Sequence, residues 1–241
     1  MKVSGLQKMK TKQKNNMLGS SSYLLHKQNS GMLTRKLNQQ FGKPVKSLTG
    51  WILTKFFLWH NRVQEENAVK LAEIQPDDTV LELGFGVGLG LQAAAPLLTG
   101  FRGKLFGVDH SEYMFQKASE RMRAEIESGK VTLFNGNNMA IPLPDSSVDK
   151  VYHCNCYYFW PDLKAGTSEI HRVMKPGGLM VTTLRLSTSM KAASMNILLN
   201  DNWKPEVYME ALRATGFSDV QMEDKQDKKI AFQAIFATAS K

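Results

Sequence analysis

Four glycines at alternate positions, Gly84, Gly86, Gly88 and Gly90, follow a buried-looking run that ends in an acid two residues ahead of them, Glu82. Glycine admits positive φ and leaves no Cβ between a ligand and the backbone, so this spacing suits a turn that receives a flat or bulky ligand. A second acid, Asp109, stands 25 residues after Gly84 at the end of another apolar run. An acid at such a strand end suits hydrogen bonds to ribose hydroxyls, although it could also cap the helix that follows. Asn137 and Asn138 lie in a later turn, and the bland account of such a pair is the turn itself. His153, Tyr157 and Tyr158 are groups that could take or give a proton near the same place, though a histidine on a strand is more often packed or surface-exposed. The chemistry this set suggests is nucleotide binding at a strand–turn–helix corner, with backbone N–H groups facing the ligand.

Spacing excludes two nucleotide motifs. A phosphate-binding loop requires Lys-Ser/Thr after its glycines, and none is present. A dinucleotide Gly-x-Gly-x-x-Gly would need glycine where Leu89 or Leu91 stands.

The elements that must hold these residues are legible as alternating strands and helices. Residues 80–83 read as a short buried strand after the Pro76-Asp77-Asp78 turn, and Leu91 to Ala95 as the start of a helix. Further strands are expected over 105–108, 131–134 and 148–155, with a helix over 112–128 between the first two. Ligands of parallel sheets sit at strand carboxyl ends, which places residues 155–160 at the rim of the site. Strand alternation would set His153, Asn155 and Tyr157 on one side and Cys154, Cys156 and Tyr158 on the other. A helix ends near Lys175-Pro176-Gly177-Gly178 and a fifth strand follows over 179–184. A helix over 205–215 and two strands near 219–223 and 230–239 close the chain.

The motif Glu82-x-Gly84-x-Gly86-x-Gly88, with Gly107-Val108-Asp109-x-Ser111 and Arg172-Val173-Met174-Lys175-Pro176-Gly177-Gly178, resembles the class I S-adenosylmethionine (SAM) methyltransferases. The resemblance covers roughly residues 76–240, and is greatest to the small-molecule branch that includes the ubiquinone- and menaquinone-biosynthesis C-methyltransferases. It implies an α/β fold: a Rossmann-like, seven-stranded, mostly parallel sheet with helices on both faces and a C-terminal antiparallel hairpin. SAM is the cofactor it implies. Glu82 would lie near the methionine end, Gly84, Phe85, Gly86 and Gly88 around the ligand, Asp109 at the ribose and His110 beside the adenine. Asn137 stands where the family carries an Asp that accepts from the adenine amine, with Asn138 next to it; an uncharged amide holds that amine less strongly. Asn155 opens a segment in the place of an Asn-Pro-Pro-Tyr motif, but both prolines are missing.

Charge separates the chain into two parts. Residues 1–64 hold 12 Lys and Arg and no acid, whereas the remainder carries 19 basic and 22 acidic side chains. A basic catalytic face for nucleic acid is therefore not indicated. Residues 1–40 are rich in Lys, Asn, Gln and Ser and read as a flexible basic tail. Such a leader also suits organelle import, but its first 34 residues have no Arg. Cytoplasmic residence is the expectation and mitochondrial residence the alternative. Residues 41–75 carry Trp51, Phe56, Phe57 and Trp59 and read as a helical extension ahead of the catalytic domain at 76–241. It is expected to be a lid, a helix packed on the core, or a peripheral membrane contact. Val69, Leu71 and Ala72 are its expected inner face. The two cysteines, Cys154 and Cys156, form no disulfide framework, and their spacing with His153 is not that of a metal site, so no metal is expected.

The function expected is methyl transfer from SAM to a small, apolar or aromatic acceptor. The alternatives are an N-methyltransferase of nucleic acid or protein, and a SAM-binding subunit without catalysis. Oligomeric state is left open by the sequence.

Overall fold

The computed structural model describes residues 43–47, 52, 61–198 and 200–241. The expected tail over 1–40 lies outside the described residues, as does most of the aromatic segment that follows it. Helix α1 (Arg62–Leu71) leads into β1 (Thr79–Leu83), α2 (Leu89–Ala94), β2 (Lys104–Asp109), α3 (Glu112–Arg121), α4 (Arg123–Glu127) and β3 (Val131–Asn135). The second half contains β4 (Val148–Cys154), α5 (Leu163–Val173), β5 (Met174–Leu184), α6 (Leu186–Ser194), α7 (Pro205–Ala214), β6 (Phe217–Asp227) and β7 (Ile230–Ala239).

The strands form one seven-stranded sheet in the order β3-β2-β1-β4-β5-β7-β6. β1 through β5 run parallel, whereas β7 is antiparallel to both β5 and β6. This is the Rossmann-like α/β architecture with a terminal hairpin that the sequence resemblance implies. β1 is the central strand at which the order reverses, so its carboxyl end opens into the crevice where ligands of such sheets bind.

Both faces of the central strands are covered, as a parallel sheet demands. On one face Leu81, Leu83, Val151 and Met180 pack against Ile170 and Val173 of α5 and Tyr208 and Leu212 of α7. On the other, Val80, Leu105, Tyr152 and Val181 pack against Ala68 and Val69 of α1, Ala72 at its C-cap, and Leu91 and Ala94 of α2. Each fully buried Val, Leu, Ile or Met side chain contributes about 1.5–3 kcal/mol, which makes these two layers the main source of stability.

Four local features differ from the sequence reading. The helix expected over 112–128 is divided at Met122 into α3 and α4, the Met122 side chain being buried at the join. Helix α6 is formed where no element was assigned. On α1, Val69 and Ala72 are buried as expected, but Leu71 is only half-buried, and three polar residues, Gln64, Glu65 and Asn67, join the inner face. Strand β4 ends at Cys154 because Asn155 turns into the left-handed region at φ 49°, and a short 3-10 turn over Tyr157–Phe159 follows. Alternation therefore stops at Cys154, so His153, Asn155 and Tyr157 do not share a side.

Candidate cofactor and acceptor site

The glycine turn owes its shape to three left-handed residues, Gly84 (φ +66°), Gly86 (φ +51°) and Gly88 (φ +80°). Its N–H groups are consumed within the protein. Gly84 N–H donates to Val108 O (2.8 Å), Gly88 N–H to Phe85 O (2.8 Å) and Gly86 N–H to Asp109 Oδ2 (2.9 Å). The corner thus meets a ligand with bare Cα groups; the expected row of free donors at these glycines is absent. A Cβ on Gly86 would meet only Gly84 O, at 4.0 Å, so a side chain there would extend into open space.

Asp109, 7% exposed, uses its other oxygen to accept from Ser111 N–H at 2.8 Å. Burial raises its pKa, and the two backbone donors work against that rise. Ser111 caps α3 through Met114 N–H and donates its hydroxyl to Pro44 O at 2.6 Å, which pins the segment 43–47 beside the site. His110 lies next to Asp109, with Nδ1 3.9 Å from Oδ1, and burial lowers its pKa. Asn137 accepts from Met139 N–H (3.0 Å), closing its own turn, while the Nδ2 of Asn138 is buried and has no partner among the described residues.

These residues border one cavity of about 690 Å³, within the usual range for small-molecule sites. Of the residues the sequence singled out, Gly84, Gly86, Asp109, His110, Asn137, Asn138, Asn155 and Tyr158 line it. Glu82, Phe85 and Gly88 lie behind the wall, as do His153 and Tyr157. His153 is fully buried, with Nε2 2.8 Å from both the Tyr208 and Thr182 hydroxyls, and burial holds its pKa down at about 3. It is a neutral, hydrogen-bonded core residue with no access to a substrate. Tyr157 is stacked on Tyr208 at 4.3 Å and donates to Trp203 O (3.1 Å). Tyr158 does face the cavity, and burial raises its pKa well above the ordinary value, so it is present there as a neutral hydroxyl.

Sequence reasoning missed the contribution of α1 and α6. Asn61, Gln64 and Glu65 reach the cavity from the start of α1 at helical spacing, with Gln64 Nε2 donating to Asn155 Oδ1 (3.3 Å) and Asn155 Nδ2 to Asn61 Oδ1 (3.4 Å). The signal was the 61, 64, 65, 68, 72 periodicity, in which polar residues continue the face of Ala68 and Ala72. From the opposite side α6 and the loop after it bring Ala192, Met195, Ile197 and Leu198, which with Phe159 and Trp160 make an apolar wall.

SAM fits the residues present. Gly86 leaves open space where a side chain would stand, Asp109 borders that space, and the buried acceptors Gln64 Oε1, Glu65 Oε2 and Glu82 Oε1 have no donor from the described protein.

Residues 80–178 match the family model described as a methyltransferase domain. An uncharacterized methyltransferase of Bacillus subtilis, YdaC, is 28% identical over 75% of this chain and 93% of its own length. A sterol 24-C-methyltransferase of Pneumocystis carinii is 35% identical over 45% of this chain. A demethylmenaquinone methyltransferase of Desulfitobacterium hafniense is 32% identical over 48% of it. The chain spans only 28% and 46% of the lengths of those last two. The fold is that of a solved SAM-dependent methyltransferase from Aquifex aeolicus, with a TM-score of 0.61 at 19% identity over 77% of this chain and 96% of the other. Residues 80–178 thus match a methyltransferase domain, and the sheet that holds them has the fold of a SAM-dependent methyltransferase.

Proposed function

We propose that the protein transfers a methyl group from SAM to a small, apolar or aromatic acceptor. The observation that carries this reading is the continuity of the cavity, which runs from Gly86 and Asp109 to the wall of Phe159, Trp160, Met195 and Leu198. The names of two relatives, which refer to a sterol and to demethylmenaquinone, support an acceptor of that character. SAM supplies an already activated methyl group on its sulfonium.

The chain's own part is to bind and align. Asp109 holds the ribose hydroxyls, the turn at Asn137 and Asn138 meets the adenine, and Gly84 and Gly86 allow close approach at the backbone. Tyr158 and Asn155 stand where this end meets the apolar wall. No base is assigned: His153 is sealed in the core, and Tyr158 stays protonated. Holding the acceptor beside the methyl group is the main contribution, since fixed proximity alone is worth several kcal/mol. The segment over 41–61 acts as a lid, a reading supported by Lys43, Pro44 and Asn61 on the cavity wall. The tail over 1–40 is dispensable for the chemistry.

Calorimetry with S-adenosylhomocysteine, followed by transfer of labelled methyl groups from SAM to panels of hydrophobic small molecules, RNA and protein, tests this. Binding with transfer to a small apolar acceptor is expected. A folded protein that binds no S-adenosylhomocysteine, or that methylates RNA or protein and not small molecules, overturns it.

A further inference from the structure

Two acids from different elements meet behind the glycine turn. Glu65 on α1 is 7% exposed and lines the cavity, and Glu82 on β1 is 1% exposed just beneath it. Their carboxyl groups lie close enough to influence each other directly, and because two carboxylates can only accept, a hydrogen bond between them forms only when one keeps its proton. No N–H or O–H of the described protein donates to Glu65 Oε2 or Glu82 Oε1, nor to Oε1 of the fully buried Gln64, the chain neighbour of Glu65. Acceptors buried without a donor are costly, so once the pair gives up its proton these oxygens call for a ligand that brings donors. An ammonium group has three N–H donors and a positive charge.

We propose that Glu65, paired with Glu82, receives the ammonium group of the cofactor's methionine, and that the proton shared by the two carboxyls leaves as it binds. This rests on the SAM reading above and adds a binding residue and a proton to it. The balance is closed. One carboxyl O–H bond breaks, its proton passes to a solvent base, and the ammonium takes over its charge. The pair carries one negative charge before binding, and the pair with its ammonium carries one negative charge after.

The surroundings fit this exchange. Two acids in contact in a site of low polarity do not both ionise. Burial lifts Glu65 to about 8 and, together with the field of Glu65, lifts Glu82 well above the usual carboxylate range. From β4, Tyr152 donates its hydroxyl to Glu82 Oε2 at 3.0 Å and the Cys154 thiol faces Glu65; burial keeps both neutral. From β2, Asp109 adds a negative field that favours keeping the proton. The cations on the cavity wall are Lys43, Arg185 and Lys191, with His110 neutral once the pH exceeds its lowered pKa.

The experiment is calorimetry on the full chain with S-adenosylhomocysteine at about pH 7, in two buffers of different ionisation enthalpy. Release of about one proton per ligand is expected, with affinity rising up to about tenfold per pH unit between about pH 6 and 7.5. 5′-Methylthioadenosine, which lacks the amino acid, should bind with no release. In Glu65→Gln the amide stands permanently for the protonated acid. Release and pH dependence should vanish and affinity should fall about tenfold to a hundredfold. If Glu65→Gln does not fold, the contrast between the two ligands on the wild type decides. Equal proton release with both ligands, no release with S-adenosylhomocysteine, or an unchanged Glu65→Gln overturns the inference while the SAM reading stands. Absence of any binding by the folded wild type removes the SAM reading itself.

Discussion

Both carboxylate oxygens of Asp109 are engaged by backbone donors before any ligand arrives, one by Gly86 N–H and one by Ser111 N–H. The residue therefore shapes the glycine turn as well as offering its remaining lone pairs to a ligand. Gly86 contributes the opposite property, a backbone position with nothing in front of it. Gly86→Ala should fold, at a cost of about 1–2 kcal/mol for a Cβ in the left-handed region, yet lose S-adenosylhomocysteine binding by tenfold or more. Thermal melts and calorimetry on the same sample separate the two effects, and a variant that binds as tightly as the wild type would refute the role given to Gly86. These residues were legible because the motif is contiguous and its spacing is itself the geometry. Gln64 and Glu65 were missed, because their helical spacing with Ala68 and Ala72 is the one signal within α1 and polar side chains at such positions ordinarily face solvent. Only the packing of the helix on β1, β4 and β5 turns them inward.

Helix α1 is held by few polar ties, and their worth differs. Asn67, buried at 9% exposure, donates to Asp227 Oδ2 (2.8 Å) and to Val63 O (2.7 Å), linking the helix to the far end of β6. Lys228 Nζ and Glu66 Oε2 are 3.1 Å apart close by, but the lysine side chain is 62% exposed and the glutamate 37%. A buried hydrogen bond to a charged group is worth about 1.5–3 kcal/mol, whereas an exposed ion pair is worth about 0–1. Asn67→Ala should therefore lower stability by about 2 kcal/mol and weaken S-adenosylhomocysteine binding, since α1 carries Gln64 and Glu65. Lys228→Ala should change both within error. Denaturant melts and calorimetry check this, and a Lys228→Ala variant as damaged as Asn67→Ala would show that the helix is held in another way. The sheet was legible from its apolar runs and the glycines that punctuate them. The end of β4 was misread because period-2 alternation carries no warning that Asn155 turns left-handed. Helix α6, with its Ser, Thr and Lys residues, lacks a strong apolar stripe, and its contribution to the acceptor wall appears only in three dimensions.

The two-layered core leaves its ionisable residues at the carboxyl ends of the strands, and this makes the stability of the ligand-free protein depend on pH in a definite direction. An unfolded glutamate gives up its proton near 4.5, whereas folded Glu65 keeps one until about 8. A group whose folded pKa is raised contributes stability that is full below its unfolded pKa and is lost as the pH rises through the folded one. Glu82, also raised by burial and by the field of Glu65, shares that proton and acts in the same sense. His153 acts oppositely below neutrality. Its folded pKa of about 3 lies under the ordinary 6.5, so its contribution is present above 6.5 and is lost as the pH falls toward 3. Below about 6.5 the histidine offsets the acids; above it only the acids remain. Stability of the ligand-free protein should thus decline from about pH 6.5 to 8, by up to about 1.4 kcal/mol per pH unit for each proton held. Glu65→Gln should flatten that decline, because an amide has no proton to lose. Saturating S-adenosylhomocysteine should flatten it as well, since binding favours the ionised pair increasingly as the pH rises and adds stability by mass action. Thermal melts across that range, on wild type and variant with and without ligand, give the four slopes. A wild-type Tm that holds level or rises between pH 6.5 and 8 would mean that the glutamate pair holds no proton in the folded protein.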